Sequence, residues 1–317
     1  MMREDGPGPG AVRNPRTEAA AQLGGDYEVR VLEPSPPAVT EPPWFADDPL
    51  EPGGHVVPVD LPGTRSWSSV GALRGDTALV TFSMERWLGP RRRLEELPAA
   101  FATTRASLHA LAEHVIVPVR HAATGRIGLR WTKGGFGTPF LPGNRQVRVE
   151  HGRLFDGERG TTPTSLGQAA TFLGVAPGLP EGTYAATTVC SPNAPLAVDP
   201  GAAGALGDWF GFTVSLLEQI RCEALPATQP SRPQLWPEHF DLALELTGLK
   251  VNLGGSPGDA DHPAPYLYVG PWEPHTGPLW NEPFGASLAY SDLVAATDQR
   301  ATALEFLRAG RDALTGP

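Results

Sequence analysis

Lysine is almost missing from this chain. It occurs twice in 317 residues, at Lys133 and Lys250, while arginine supplies the rest of the positive charge and the net charge is −10. A folded nucleic-acid-binding domain presents a basic surface. Here the overall sign is wrong, and the one dense basic run, Arg91-Arg92-Arg93, reads as solvated surface. Cysteine is as scarce: Cys190 and Cys222 stand far apart without a CxxC pair, which excludes a disulfide framework and a cysteine-rich zinc site. No run approaches the roughly 18 apolar residues of a membrane span. The N-terminus, with Arg3, Glu4, Asp5 and Arg13, lacks the apolar core of a signal peptide. These absences point to a cytoplasmic protein without nucleic-acid or membrane partners. HExxH, GxSxG and calcium-loop patterns are also missing, so no motif names a reaction, metal or cofactor.

Glycine (37) and proline (35) are instead abundant, roughly twice the usual share for the pair, which argues for many turns and short elements. Residues 1–24 read as a flexible leader, followed by one domain over 25–317. Strands are predicted at Tyr27–Val31, His55–Val59 and Thr77–Ser83. A helix is predicted from Pro98 to Val117, its stripe Phe101, Arg105, Leu108, Leu111, Ala112 and Val115, with Pro118 ending it. A second opens on Asp199 as N-cap with Pro200 at its first position and carries the stripe Leu206, Trp209, Phe210, Thr213, Leu216, Leu217 and Ile220. A shorter helix between Pro163 and Leu173 closes on Gly174, and a last one covers about Thr297–Leu314.

After each long helix come two apolar-alternating segments joined by a glycine-rich stretch. They are Arg126–Thr132 and Gln146–Glu150 around Gly134–Pro139, then His239–Leu246 and Tyr266–Val269 around Gly254–Gly258. This order predicts an α+β fold of short antiparallel sheets on two long amphipathic helices, with a helix-plus-hairpin pseudo-duplication over 95–190 and 199–317.

The stretches Gly134-Gly135-Phe136-Gly137-Thr138-Pro139-Phe140, Leu235-Trp236-Pro237-Glu238-His239-Phe240-Asp241-Leu242-Ala243 and Pro265-Tyr266-Leu267-Tyr268 resemble those of actinobacterial conserved hypothetical proteins. More distantly, their order is similar to a broader bacterial family of unknown function. The resemblance runs from about Tyr27 to the C-terminus. It implies a shared fold and a cytosolic bacterial protein, and it assigns no catalytic residue.

The candidate site residues cluster in three places. In HFDLALEL, His239 and Asp241 alternate with Phe240, Leu242 and Leu244, which is the pattern of a half-buried strand with one solvated face. If functional, His239 and Asp241 share a ligand or divalent metal with Asp259, Asp261 and His262 of the turn-rich run that follows. Arg130 and Arg148 on the polar faces of RIGLRWT and QVRVE either form a strip for an anionic metabolite or pair with Glu150 and other acids. Lys133 adjoins the glycine-rich run, which lacks the GxxxxGK[ST] order of a phosphate loop. Tyr266 and Tyr268 project together, either covering a core edge or flanking a ligand. The reading is a small-molecule (anionic metabolite or divalent metal) binding pocket between the two halves. The alternative is a protein–protein interaction module.

Overall fold

The computed structural model describes Arg93 to Thr315, apart from Lys133, Phe140, Gly143, Asn144 and Arg232, and two strands before that. The leader and the strand expected at Thr77–Ser83 lie outside the described residues, as does Lys133. The chain divides into two units at Arg86–Trp87. In the first, β1 (Glu28–Leu32) pairs antiparallel with β2 (His55–Val59), Glu28 opposite Val59 and Leu32 opposite His55.

The second unit is α+β. Its first half holds α1 (Phe101–Leu111), a π turn (Ala112–Ile116), α2 (Val117–Thr124), the strands β3 (Arg130–Thr132), β4 (Gly135–Gly137), β5 (Val147–Glu150), β6 (Arg153–Asp156) and β7 (Arg159–Thr161), and α3 (Leu166–Leu173). Then come α4 (Pro200–Glu223), the strands β8 (Gln234–Trp236), β9 (Asp241–Leu246), β10 (Val251–Ser256), β11 (Tyr266–Pro271) and β12 (Ala286–Ala289), and α5 (Tyr290–Ala295) and α6 (Gln299–Asp312). Each strand group is a five-stranded antiparallel meander in chain order. The meanders abut where Leu129, just before β3, exchanges two backbone hydrogen bonds with Leu235 of β8, at 2.8 and 2.9 Å.

Helix α4 explains the core. Asp199 Oδ1 accepts the Ala202 N–H at 2.8 Å, so the helix starts where the sequence says. Its stripe from Leu206 to Ile220 is fully buried against β3, β4, β9 and β10, so one helix serves both meanders. The glycine-rich runs expected as turns are largely strand. Gly135 and Gly137 form β4, and Gly254, Gly255 and Ser256 end β10. A Cβ on Gly207 of α4 would lie 2.5 Å from the Gly134 carbonyl carbon, and one on Gly255 would lie 2.7 Å from Thr213. Here glycine lets a helix lie close on a strand rather than turning the chain.

Pro118 does not end the first helix. Helical structure continues through the π turn to Thr124, and Gly125 closes it at φ 70°. Proline withholds the N–H that the His114 carbonyl four residues earlier would normally receive. That carbonyl takes the Gly178 N–H instead, at 2.9 Å. The turn lies in the interior: Glu113 and His114 on it are 0% and 2% exposed.

Candidate functional site

The polar groups of the second meander gather on the sheet face turned away from α4. Residues of one face alternate along each strand, and the register sets Ala243, Gly254, Tyr268 and Ser287 side by side in one row, with Tyr266 opposite Ala289 in the next. Tyr268 lies across Gly254, and its hydroxyl donates to Asp241 Oδ2. A Cβ on Gly254 would lie 2.5 Å from the Leu242 carbonyl oxygen and 2.5 Å from both the Tyr268 Cζ and its hydroxyl oxygen. Gly254→Ala is therefore expected to destabilise the protein by about 1–3 kcal/mol through overpacking. In a Tyr268→Ala background the backbone contact remains but the ring does not, so the added cost of Gly254→Ala should be smaller, which a double-mutant cycle in urea would read. Additive costs would show that the ring contributes nothing to the clash.

Asp241 is only 6% exposed, and among the described residues its Oδ1 has no hydrogen-bond partner. Burial raises its carboxyl; the Tyr268 bond and His239 oppose the rise, the Glu238 charge adds to it, and the result is about 6. The solvated face expected for His239 and Asp241 does not exist. Residues 237–240 form a turn with Phe240 at φ 55°, so the strand begins only at Asp241 and its alternation does not reach His239. His239 is exposed while Asp241 and Ala243 are covered, so the two candidates do not share a ligand position.

The Asp259–His262 run folds as a turn held from within. Asp259 Oδ1 accepts the N–H groups of Asp261 (2.8 Å) and His262 (2.7 Å), and its Oδ2 accepts the Tyr266 hydroxyl at 3.1 Å. Burial disfavours this carboxylate, but the three donors outweigh it and hold the carboxyl below its ordinary value. Arg105, the cation that looked out of character on an apolar stripe, donates to the carbonyls of Pro257 (3.3 Å), Asp259 (3.0 Å) and Pro263 (2.9 Å). It fastens this loop to α1. His262 turns outward, its Nε2 3.4 Å from Glu282 Oε1, which also accepts from Ser287 Oγ at 2.9 Å.

Some of these groups line a cavity of about 580 Å³. Its polar lining includes Asp261, His262, Tyr266, Glu282 and Ser287, and its apolar lining includes Leu97, Pro265, Val294 and Ala295. Leu97 belongs to a strap fixed at Leu94, whose N–H and C=O are both bonded by the buried Gln299 side chain, at 2.7 and 2.9 Å. The Tyr290 hydroxyl donates to the Glu95 carbonyl at 2.8 Å. A second cavity, of about 500 Å³, lies on the other side of the strap. It is bounded by Arg93, His151, Asp208 and the first turns of α4, and shares Glu96 and Tyr290 with the first.

The remaining candidates fall elsewhere. Arg130 and Arg148 do sit in one row, on either side of Gly137, but in the first meander. Arg148 donates to the Gly157 carbonyl at 3.0 Å and covers the Phe155 ring. Among the described residues no three His, Cys, Asp or Glu side chains converge as a metal centre requires; Asp259 and His262 are neighbours, but His239 and Asp241 do not join them.

Sequence reasoning missed a second polar cluster. Glu113, on the π turn, accepts from the backbone N–H and hydroxyl of both Thr187 and Thr188. This clamps the long connection between α3 and α4, and its filled acceptors mark it as an anchor. Glu282, Leu97 and Val294 also carried no sequence signal, because they enter the cavity from the β11–β12 connection, the strap and α5, which no local pattern joins.

Comparisons with protein-family models, curated proteins and solved structures return no match. Among the described residues no helix is long and apolar enough to cross a membrane.

Proposed function

We propose that the protein binds a small organic molecule in the cavity beside Tyr266. The observation that carries this reading is a space of about 580 Å³ whose lining combines apolar side chains with several polar ones. That volume lies within the range of ligand pockets, which pair an apolar lining with a few placed polar groups. The recurrence of a helix followed by an antiparallel meander supports two pseudo-repeats, and the cavity draws on both, with Glu96 and Leu97 from the first and the rest of its lining from the second. The interaction-module reading has less support. Among the described residues the exposed large apolar side chains are Val189, Leu225, Trp272 and Phe284, and Phe284 packs near Tyr266 and His262 at ring centroid distances of 6.0 and 6.1 Å, beside the cavity.

A metabolite library screened by thermal shift tests the proposal. A ligand at a hundred times its Kd stabilises the native state by about 2.7 kcal/mol. Ala289, opposite Tyr266 in the sheet and part of the cavity lining, provides the site control. Ala289→Trp should abolish any shift by filling the space, whereas the exposed-site change Glu305→Ala should preserve it. Shifts that survive undiminished in Ala289→Trp would place binding elsewhere.

A further inference from the structure

The cavity carries its charge unevenly. Glu96, Asp261 and Glu282 face it with His262, and among the described residues no lysine or arginine lines it. Among the described residues, Arg105 donates to carbonyls of the 257–263 loop and Arg93 to those of Val294 and Ala296, and neither lines the cavity. Glu282 is the most sheltered of the three carboxylates, its side chain 21% exposed. Its Oε1 holds the Ser287 hydroxyl and faces His262, while Oε2 has no hydrogen-bond partner among the described residues. Aromatic rings stand on the same side: His262 lies 4.9 Å from Tyr266 and Phe284 6.0 Å from it, centroid to centroid.

A partly dehydrated carboxylate attracts a cation more strongly than one in water, ring faces add to that attraction, and the apolar lining of Leu97, Pro265 and Val294 suits hydrocarbon. An anionic ligand would meet three carboxylates and, among the described residues, no arginine or lysine in the lining itself. A bare metal ion would leave the apolar lining unused and would find no three-ligand set.

We infer that the cavity takes a small organic cation, an ammonium or amidinium group on an apolar body, with Glu282 as its charge partner. The inference rests on the reading of the cavity as a binding site, and the test separates the two. Phenyl, cyclohexyl and n-hexyl skeletons, each as the ammonium, alcohol and carboxylate, are titrated against the full chain by ligand-observed NMR. Binding lost in Ala289→Trp is assigned to the cavity; Ser291→Trp, at another lining position, replaces that variant if melting shows it unfolded.

The ammonium forms should bind in the cavity about tenfold more tightly than the matched alcohols, the scale of one charge-assisted hydrogen bond. The carboxylates should not bind there. Glu282→Gln should bring the ammonium forms to the level of the alcohols and leave the alcohols unchanged. Cavity binding that is equal across the three series, or that favours carboxylates, overturns the cation assignment and leaves the binding site standing. An ammonium preference that survives Glu282→Gln removes Glu282 from the role. If no probe loses binding in the filled variants, both the inference and the binding reading fall.

Discussion

Phe240→Ala is expected to cost about 3–5 kcal/mol of stability, the range for emptying a buried phenylalanine site. The ring is 1% exposed. It stacks on His109 of α1 at 4.9 Å and meets Phe136 of β4 and Phe210 of α4 edge-on at 5.1 and 5.4 Å. One side chain therefore ties together the first helix, the first meander, the central helix and the entry to β9. The backbone beneath it is strained, since φ is 55°, a region that bulky residues rarely occupy. This gives the prediction a second part. Phe240→Gly removes the same ring but relieves the backbone, so it should be less destabilising than Phe240→Ala by roughly 1 kcal/mol. Denaturant unfolding followed by circular dichroism decides both points. A loss below about 1.5 kcal/mol, or glycine worse than alanine, would mean that the ring does not hold these elements or that the turn is unstrained.

Asp241→Asn should make the protein more stable at neutral pH by up to about 3 kcal/mol, with the gain vanishing near pH 4. Burial lifts the Asp241 carboxyl to about 6 in the folded chain, while an unfolded aspartate titrates near 3.9. Between those values the native state binds more protons than the unfolded state, so stability falls as pH rises. The stabilisation from the protonated acid is complete below about pH 4 and is gone once the pH has passed through 6. Asparagine keeps an oxygen for the Tyr268 hydroxyl and never ionises, so it escapes that loss. Urea midpoints for parent and variant at pH 4, 6 and 8 give the measurement. Parallel pH profiles would show that Asp241 is not held in its neutral form.

Where capping chemistry governs, the structure was legible in advance. Asp199-Pro200 and Gly174 mark helix ends through local rules that need no partner. The Leu206–Ile220 stripe was readable because helix period alone selects the buried face. The errors share a cause. Glycine at 135, 137, 254 and 255 signals a bend to a local reading, but here a helix or a ring from elsewhere takes the space of the missing side chain. Pro118 signals a stop, yet Gly178, 60 residues on, supplies the donor that lets the helix continue. Asp241 read as solvated because alternation does not reveal that Tyr268 will lie over the intervening strand. The Asp259–His262 run was found, but as metal ligands; that its carboxylate is occupied by its own loop depends on how the turn closes.

In terms of chain length, the π turn at Ala112–Ile116 is a helix with one residue more than its regular period accommodates. Because the wider turn bonds i to i+5, its residues each advance by less than the roughly 100° of ordinary helix, and the extra one is absorbed. Arg105 and His109 lie before the turn and Arg120 after it. Deleting one residue there would let ordinary helical bonding run through and leave those side chains facing much as they do now, whereas deleting one from α1 itself would turn what precedes it by about 100°. A one-residue gap between two otherwise similar sequences is thus tolerated at this point and is a change of phase a turn earlier. Only the second separates chains whose first helix grips the cavity loop from chains whose first helix cannot.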